Sequence, residues 1–125
     1  MQRQVIEGAR IATPVGPFSA GVRATPQLFL SGQIGQDPET GRLVEGDAKD
    51  QARQVFTNVM SVLDAAGKTE TDVIRVAVYL TDMADFAAVN EVYSDFFTAP
   101  YPARTAIAVS ALPLGARVEA DVVAS

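Results

Sequence analysis

The chain has 125 residues, of which 48% are hydrophobic and 20% charged, a length and balance that predict one folded domain over residues 1–125 with a true core. Its net charge of −5, from 15 acidic and 10 basic residues with the two lysines, Lys49 and Lys68, far apart, repels a phosphate backbone and argues against nucleic acid as a partner. There is no cysteine and no histidine, which excludes disulfides, thiolate nucleophiles, zinc fingers, imidazole metal sites and every histidine-dependent triad.

The first ten residues, M-Q-R-Q-V-I-E-G-A-R, hold no apolar stretch of signal-peptide length, and no apolar run approaches the roughly 20 residues of a membrane span. A soluble cytoplasmic protein without membrane contact is the expectation. Val5 and Ile6 predict a short first strand. The segment T-P-V-G-P-F-S-A-G then packs Pro14, Gly16, Pro17 and Gly21 into a loop whose one large apolar side chain is Phe18. Phe18 is either a plug over the core edge or the wall of a pocket.

Val22–Ala24 and Gln27–Gln33, flanking Thr25-Pro26, read as a hairpin. Its second strand ends in Ser31-Gly32-Gln33, where the glycine signals either a β-bulge or the close approach of another backbone or a ligand. Asp37 to Gly41, D-P-E-T-G, is a turn. From Asp47 the spacing of Ala52, Val55, Phe56, Val59, Val62, Leu63 and Ala66 predicts an amphipathic helix that Gly67 stops, with Asp47 as its N-cap and Asp50 in its first turn. T-D-V-I-R-V-A-V-Y-L-T-D is the strand richest in β-branched residues. Strict alternation puts Ile74, Val76, Val78 and Leu80 on its apolar face and Val73, Arg75, Ala77 and Tyr79 on a mixed one. A second helix over 83–98 gathers Phe86, Val89, Tyr93, Phe96 and Phe97 on one side, with Asp82 and Asp85 at its start and Asn90 off the stripe.

The last quarter, 101–125, reads as two strands joined by Leu-Pro-Leu-Gly. Arg104, Ala106 and Ala108 share one face of the first, opposite Thr105, Ile107 and Val109. In the second, Val118, Ala120, Val122 and Ala124 oppose Arg117, Glu119 and Asp121. The order β-β-β-α-β-α-β-β predicts an α+β fold, one sheet with two helices over one face. The other face, expected to carry Ala77, Tyr79, Ala106 and Ala108, is too apolar to meet water freely and implies self-association. Arg75, Arg104, Glu119 and the Ser31 region would then lie near the contact.

Carboxylates, hydroxyls, arginines, two lysines and the backbone remain as chemical groups. Arg104 offers a planar fork suited to a carboxylate, and Glu119 can act as a base or hold an attacking water. The same pair can equally form a structural ion pair, within or between chains. No Gly-rich phosphate loop, calcium loop or nucleotide fingerprint is present.

Several ordered segments share a resemblance. Y-P-A-R-T-A-I-A-V-S-A-L-P-L-G-A-R-V-E-A-D is similar to the C-terminal signature of the RidA/YjgF family of enamine/imine deaminases. G-P-F-S-A-G resembles that family's early Gly-Pro-aromatic loop, and L-F-L-S-G-Q-I-G its strand ending in Ser-Gly-Gln. D-Q-A-R-Q-V-F-T-N-V and F-A-A-V-N-E-V-Y-S-D-F-F resemble its two helices. The resemblance implies a chorismate-mutase-like fold in a homotrimer, with clefts between subunits, and cofactor-free hydrolysis of 2-imino or 2-aminoacrylate-type acids to 2-keto acids and ammonia. It implies that Arg104 anchors the substrate carboxylate, that Glu119 orients water, and that the backbone at Ser31, Gly32 and Ala106 lends polar groups, with Asn90 matching a family asparagine. Phe18 stands where many members have tyrosine and Ala106 where many have cysteine, so a hydroxyl and a thiol are missing. The alternatives are a non-catalytic binder of small 2-keto acids and, as has been attached to relatives, an endoribonuclease, against which the acidic balance and the missing histidine argue.

Overall fold

A computed structural model describes residues 3–125. Six strands, β1 (Gln4–Val5), β2 (Gly21–Ala24), β3 (Gln27–Ile34), β4 (Val73–Leu80), β5 (Ala103–Ala108) and β6 (Val118–Ala124), form one mixed sheet in the order β1-β2-β3-β6-β4-β5. Two helices, α1 (Ala48–Ala65) and α2 (Phe86–Phe96), pack together on one face. The architecture is the α+β arrangement that the sequence predicts. Neither helix is long and apolar enough to cross a membrane.

Helix α1 begins as its sequence dictates: the Asp47 side chain accepts from the Asp50 amide at 3.1 Å, and Asp50 returns the bond to the Asp47 amide at 3.0 Å. At its other end Gly67 takes φ 74°, the left-handed turn that stops a helix. Arg23 from β2 donates to the orphan Ala66 carbonyl at 2.6 Å. The buried stripe of α1, with Val55, Phe56, Val59, Val62 and Leu63, packs on Leu28, Leu30, Val76, Val78, Val118, Ala120 and Val122 of the sheet.

Alternation fails in two places, and each time a bulge is the cause. In β4 the register with β6 runs Val73 to Ala124 and then Arg75 to Val123, so Ile74 is an extra residue. One extra residue reverses the facing of everything before it. Val73 therefore enters the core, while Ile74, expected there, is 48% exposed. In β3 the register skips from Leu30 opposite Val122 to Gln33 opposite Ala120, leaving Ser31 and Gly32 in the bulge.

The chain's last two strands are not a hairpin. β5 runs parallel to β4, as a strand reached through a crossover helix does, and β6 inserts between β4 and β3. The 109–117 connection therefore passes across the end of β4. Pairing in register puts Arg104 beside Val76, Ala106 beside Val78 and Ala108 beside Leu80, all on the helix side. This corrects the expectation that Ala106 and Ala108 line the open face. That face instead presents Ala77, Tyr79, Thr105, Ile107, Glu119, Asp121 and Val123, with Phe29 beyond.

Candidate functional site

The predicted site residues fall into two groups on opposite faces of the sheet. On the helix side, Arg104 leaves the edge strand β5 beside α2, and its guanidinium carbon lies 4.8 Å from the centre of the Tyr93 ring and 5.6 Å from that of Phe86. No carboxylate among the described residues pairs with it. Arg104 borders a hollow of about 320 Å³ that Asn90, Tyr93, Ser94, Tyr101 and Pro102 also line. Asn90 thus belongs with Arg104, one turn above Ser94, whose hydroxyl donates to the Asn90 carbonyl at 3.1 Å. Ala106 follows Arg104 on the same side of the strand. The Val109 amide donates to the Leu80 carbonyl at 2.8 Å. Parallel-ladder alternation then turns the backbone groups of Arg104, Ala106 and Ala108 away from β4, toward the free edge of the sheet.

On the open face stands Glu119, between Ile34 of β3 and Tyr79 of β4. Its carboxylate lies against the β3 bulge at Gly32. A Cβ at that position would fall 2.8 Å from the Glu119 carboxyl carbon, so only glycine leaves the side chain where it is. The bulge signalled by Ser31-Gly32 is present, and what approaches the glycine is the Glu119 side chain, neither another backbone nor a ligand. The Ser31 hydroxyl donates to the Ser19 carbonyl at 2.6 Å and its amide to the Ala20 carbonyl at 2.9 Å, which ties down the loop carrying Phe18. Phe18 is 47% exposed and lines, with Pro14, Val15, Ile34, Pro113 and Glu119, a second hollow of about 80 Å³. Of the two readings of Phe18, the pocket wall is the one found.

The electrostatics of the two groups differ. Burial pushes the Glu119 carboxyl above its ordinary value, and the negative Asp121 on the same face adds to the effect. Asp121 itself accepts from the Tyr79 hydroxyl at 2.9 Å. Arg104 and Glu119 do not pair within the chain, because the sheet separates them. Asp82 caps the turn before α2 by accepting from the Ala84 amide at 2.9 Å, while Asp85 meets Arg117 at 3.1 Å. Among the described residues no cluster of three or more His, Cys, Asp or Glu side chains is placed to hold a metal ion.

Two supporting residues escaped the sequence reading. Asn58, buried in α1, donates to the carbonyls of Ile34 and Gln36 at 3.1 and 2.8 Å and so clamps the chain where it leaves β3. Gln51, also buried, accepts from the Arg117 amide at 2.8 Å, just ahead of Glu119. The signal was their spacing: 51, 55, 58 and 62 lie on one helical face, so both amides sit where apolar residues belong.

Comparison with known proteins places this geometry. The family model described as Endoribonuclease L-PSP matches residues 9–125. A RutC family protein of Pyrococcus horikoshii is 47% identical, with 98% of this chain and 97% of that protein aligned. The human 2-iminobutanoate/2-iminopropanoate deaminase is 42% identical over 98% of this chain and 89% of its own length. The crystal structure of RidA from the Antarctic bacterium Psychrobacter sp. PAMC 21119 superposes with a TM-score of 0.94 at 43% identity, covering 98% of each chain. A match of this extent, over the sheet, both helices and both hollows, makes the chain a member of the RidA/YjgF family.

Proposed function

We propose that the protein hydrolyses short-lived 2-imino acids, and the enamines that tautomerise to them, to 2-keto acids and ammonia, as a homotrimer of chorismate-mutase-like subunits. The carrying observation is Arg104: a guanidinium free of any carboxylate among the described residues, beside a hollow, on the sheet face opposite Glu119. A free fork of donors next to empty space fits a small carboxylate bidentately. Since one chain cannot bring Arg104 and Glu119 together, the complete cleft takes its Arg104 edge from one copy and its Phe18–Gly32–Glu119 hollow from the next. The apolar open face, with Phe29 and Ile107, supplies the reason for copies to associate.

The chemistry asks little of the protein. An imine already reacts with water, so positioning and charge placement suffice. Arg104 holds the carboxylate, while backbone groups at Ala106 and near Ser31 and Gly32 fix the reacting end. Glu119 takes a proton from water as its oxygen bonds to the C=N carbon and passes it to the nitrogen, giving a carbinolamine. Glu119 then takes the hydroxyl proton and delivers it to the same nitrogen, so the C–N bond breaks and ammonia leaves as the C=O forms. A carboxyl held above its ordinary pKa suits both giving and taking that proton. Phe18 and Asn90 shape the cleft, with no hydroxyl at position 18.

The test couples the protein to a pyridoxal-phosphate dehydratase or an amino-acid oxidase and follows keto-acid release from several amino acids. Acceleration that Arg104→Ala abolishes is the expected result. Absence of acceleration from every amino acid overturns the reading. Binding of 2-oxobutanoate without turnover would instead assign the cleft to a non-catalytic sensor of small acids, a role the lost hydroxyl at Phe18 favours. RNA cleavage by the purified protein, undiminished by Arg104→Ala, would point to a nuclease.

A further inference from the structure

Resting on the same reading of Arg104, we infer that Tyr93 is its positioning residue: the tyrosine ring, with Phe86 beside it, is the platform that sets the angle at which the guanidinium presents its donors to the acid. Tyr93 is only 6% exposed, and its ring is fixed from two sides. It stacks on Phe97 at 4.5 Å and meets Phe56 edge-on at 5.5 Å, so its outer face has one orientation. That face carries the Arg104 guanidinium at 4.8 Å, and Phe86 adds a second ring at 5.6 Å. A guanidinium held over a ring face spends none of its N–H donors on that contact, and here Arg104 borders the hollow. Arg104 has no carboxylate among the described residues to hold it, so the platform is what restrains it.

The hydroxyl of Tyr93 is a separate matter. It is buried and without a hydrogen-bond partner among the described residues. Burial holds this phenol above its usual pKa, against the opposing pull of Arg104. The face of the ring is therefore the working part, and the oxygen is not.

The experiment compares Tyr93→Phe, Tyr93→Leu and Phe86→Leu with the native chain by two readouts. Arginine Nε–H resonances, assigned with Arg104→Lys, report the stacking directly. The native Arg104 signal is expected upfield through ring current, unchanged in Tyr93→Phe and displaced in Tyr93→Leu and Phe86→Leu. In the keto-acid assay Tyr93→Leu should raise KM about tenfold with kcat little changed, and Tyr93→Phe, which restores the ring, should bring KM back toward the native value. Phe86→Leu, at a partly buried ring, serves if Tyr93→Leu fails to fold. An unshifted native Arg104 signal overturns the proposal whatever the enzyme does. So does a Tyr93→Phe protein that folds but loses activity, since the hydroxyl would then be the working group. A shifted signal in a protein without turnover would sink the deaminase reading and leave the platform standing.

Discussion

Arg104 and Glu119 emerge from opposite faces of one sheet, separated by the β4 strand: Arg104 lies beside Val76 on the helix side, and Glu119 faces Tyr79 on the open side. An ion pair between them inside one chain is ruled out by that register. Any chemistry needing both requires two copies.

The first prediction concerns that requirement. Phe29 and Ile107 are exposed on the open face, 44% and 46%, and neither supports the subunit core. Ile107→Asp should leave each subunit folded by circular dichroism but reduce the solution mass, measured by light scattering, from that of the proposed trimer to that of a monomer. Keto-acid release should fall with it. A native protein that is monomeric at assay concentration would contradict the composite cleft.

Arg104→Ala removes a charge-assisted fork worth about 3 kcal/mol, and KM should rise on the order of 100-fold. Arg104→Lys should recover little, because an ammonium lacks the planar geometry. Melting temperature should fall only modestly in either variant, since among the described residues no ion pair is lost and only the contact with the Tyr93 and Phe86 rings is weakened.

Gly32→Ala tests the bulge. The added methyl would collide with the Glu119 carboxylate and drive it out of place. A loss of kcat on the order of 100-fold is expected, the size typical for displacing a general base. Melting temperature and solution mass should stay near native, which separates a site defect from a folding one.

Glu119 supplies the pH dependence. In the proposed reaction Glu119 is the base and works ionised, so activity should fall as pH drops through a pKa raised above the ordinary glutamate value by burial and by Asp121. Asp121→Asn removes the like charge and should move that acid limb to lower pH. Stability runs the other way. The folded chain holds this proton more tightly than the unfolded one, so the Glu119 contribution favours folding at low pH and turns unfavourable as pH rises through the raised pKa. Glu119→Gln should therefore melt higher than native above that pH, as followed by calorimetry across a pH series.

Asn58→Ala would orphan the Gln36 carbonyl inside the protein and take from Ile34 one of its donors, its carbonyl keeping the Gln36 amide at 2.8 Å. A loss of about 1–3 kcal/mol is expected from denaturant unfolding. Asn58→Leu should be no better, because the Gln36 carbonyl stays unpaired whatever fills the space.

The helices, the Asp47 cap and the succession of strands and helices along the chain could be read from the sequence, because each follows from local spacing: period 3.6 in α1 and α2, period 2 in β6. Candidate residues for the site could be named too, through the ordered resemblance of several segments. Three things lay beyond it. The bulges at Ser31-Gly32 and Ile74 change which side of a strand a residue faces, and only the partner strand's register reveals one extra residue. The parallel placement of β5 at the edge turned Arg104 and Ala106 toward α2, although alternation alone could not say which of the two faces of β5 met the helices. Finally, the Tyr93 platform joins residues on α2 and β5 that no sequence period connects. Spacing fixes what lies on the same side of one element, whereas the side on which two elements meet is decided by how the whole chain buries its apolar surface.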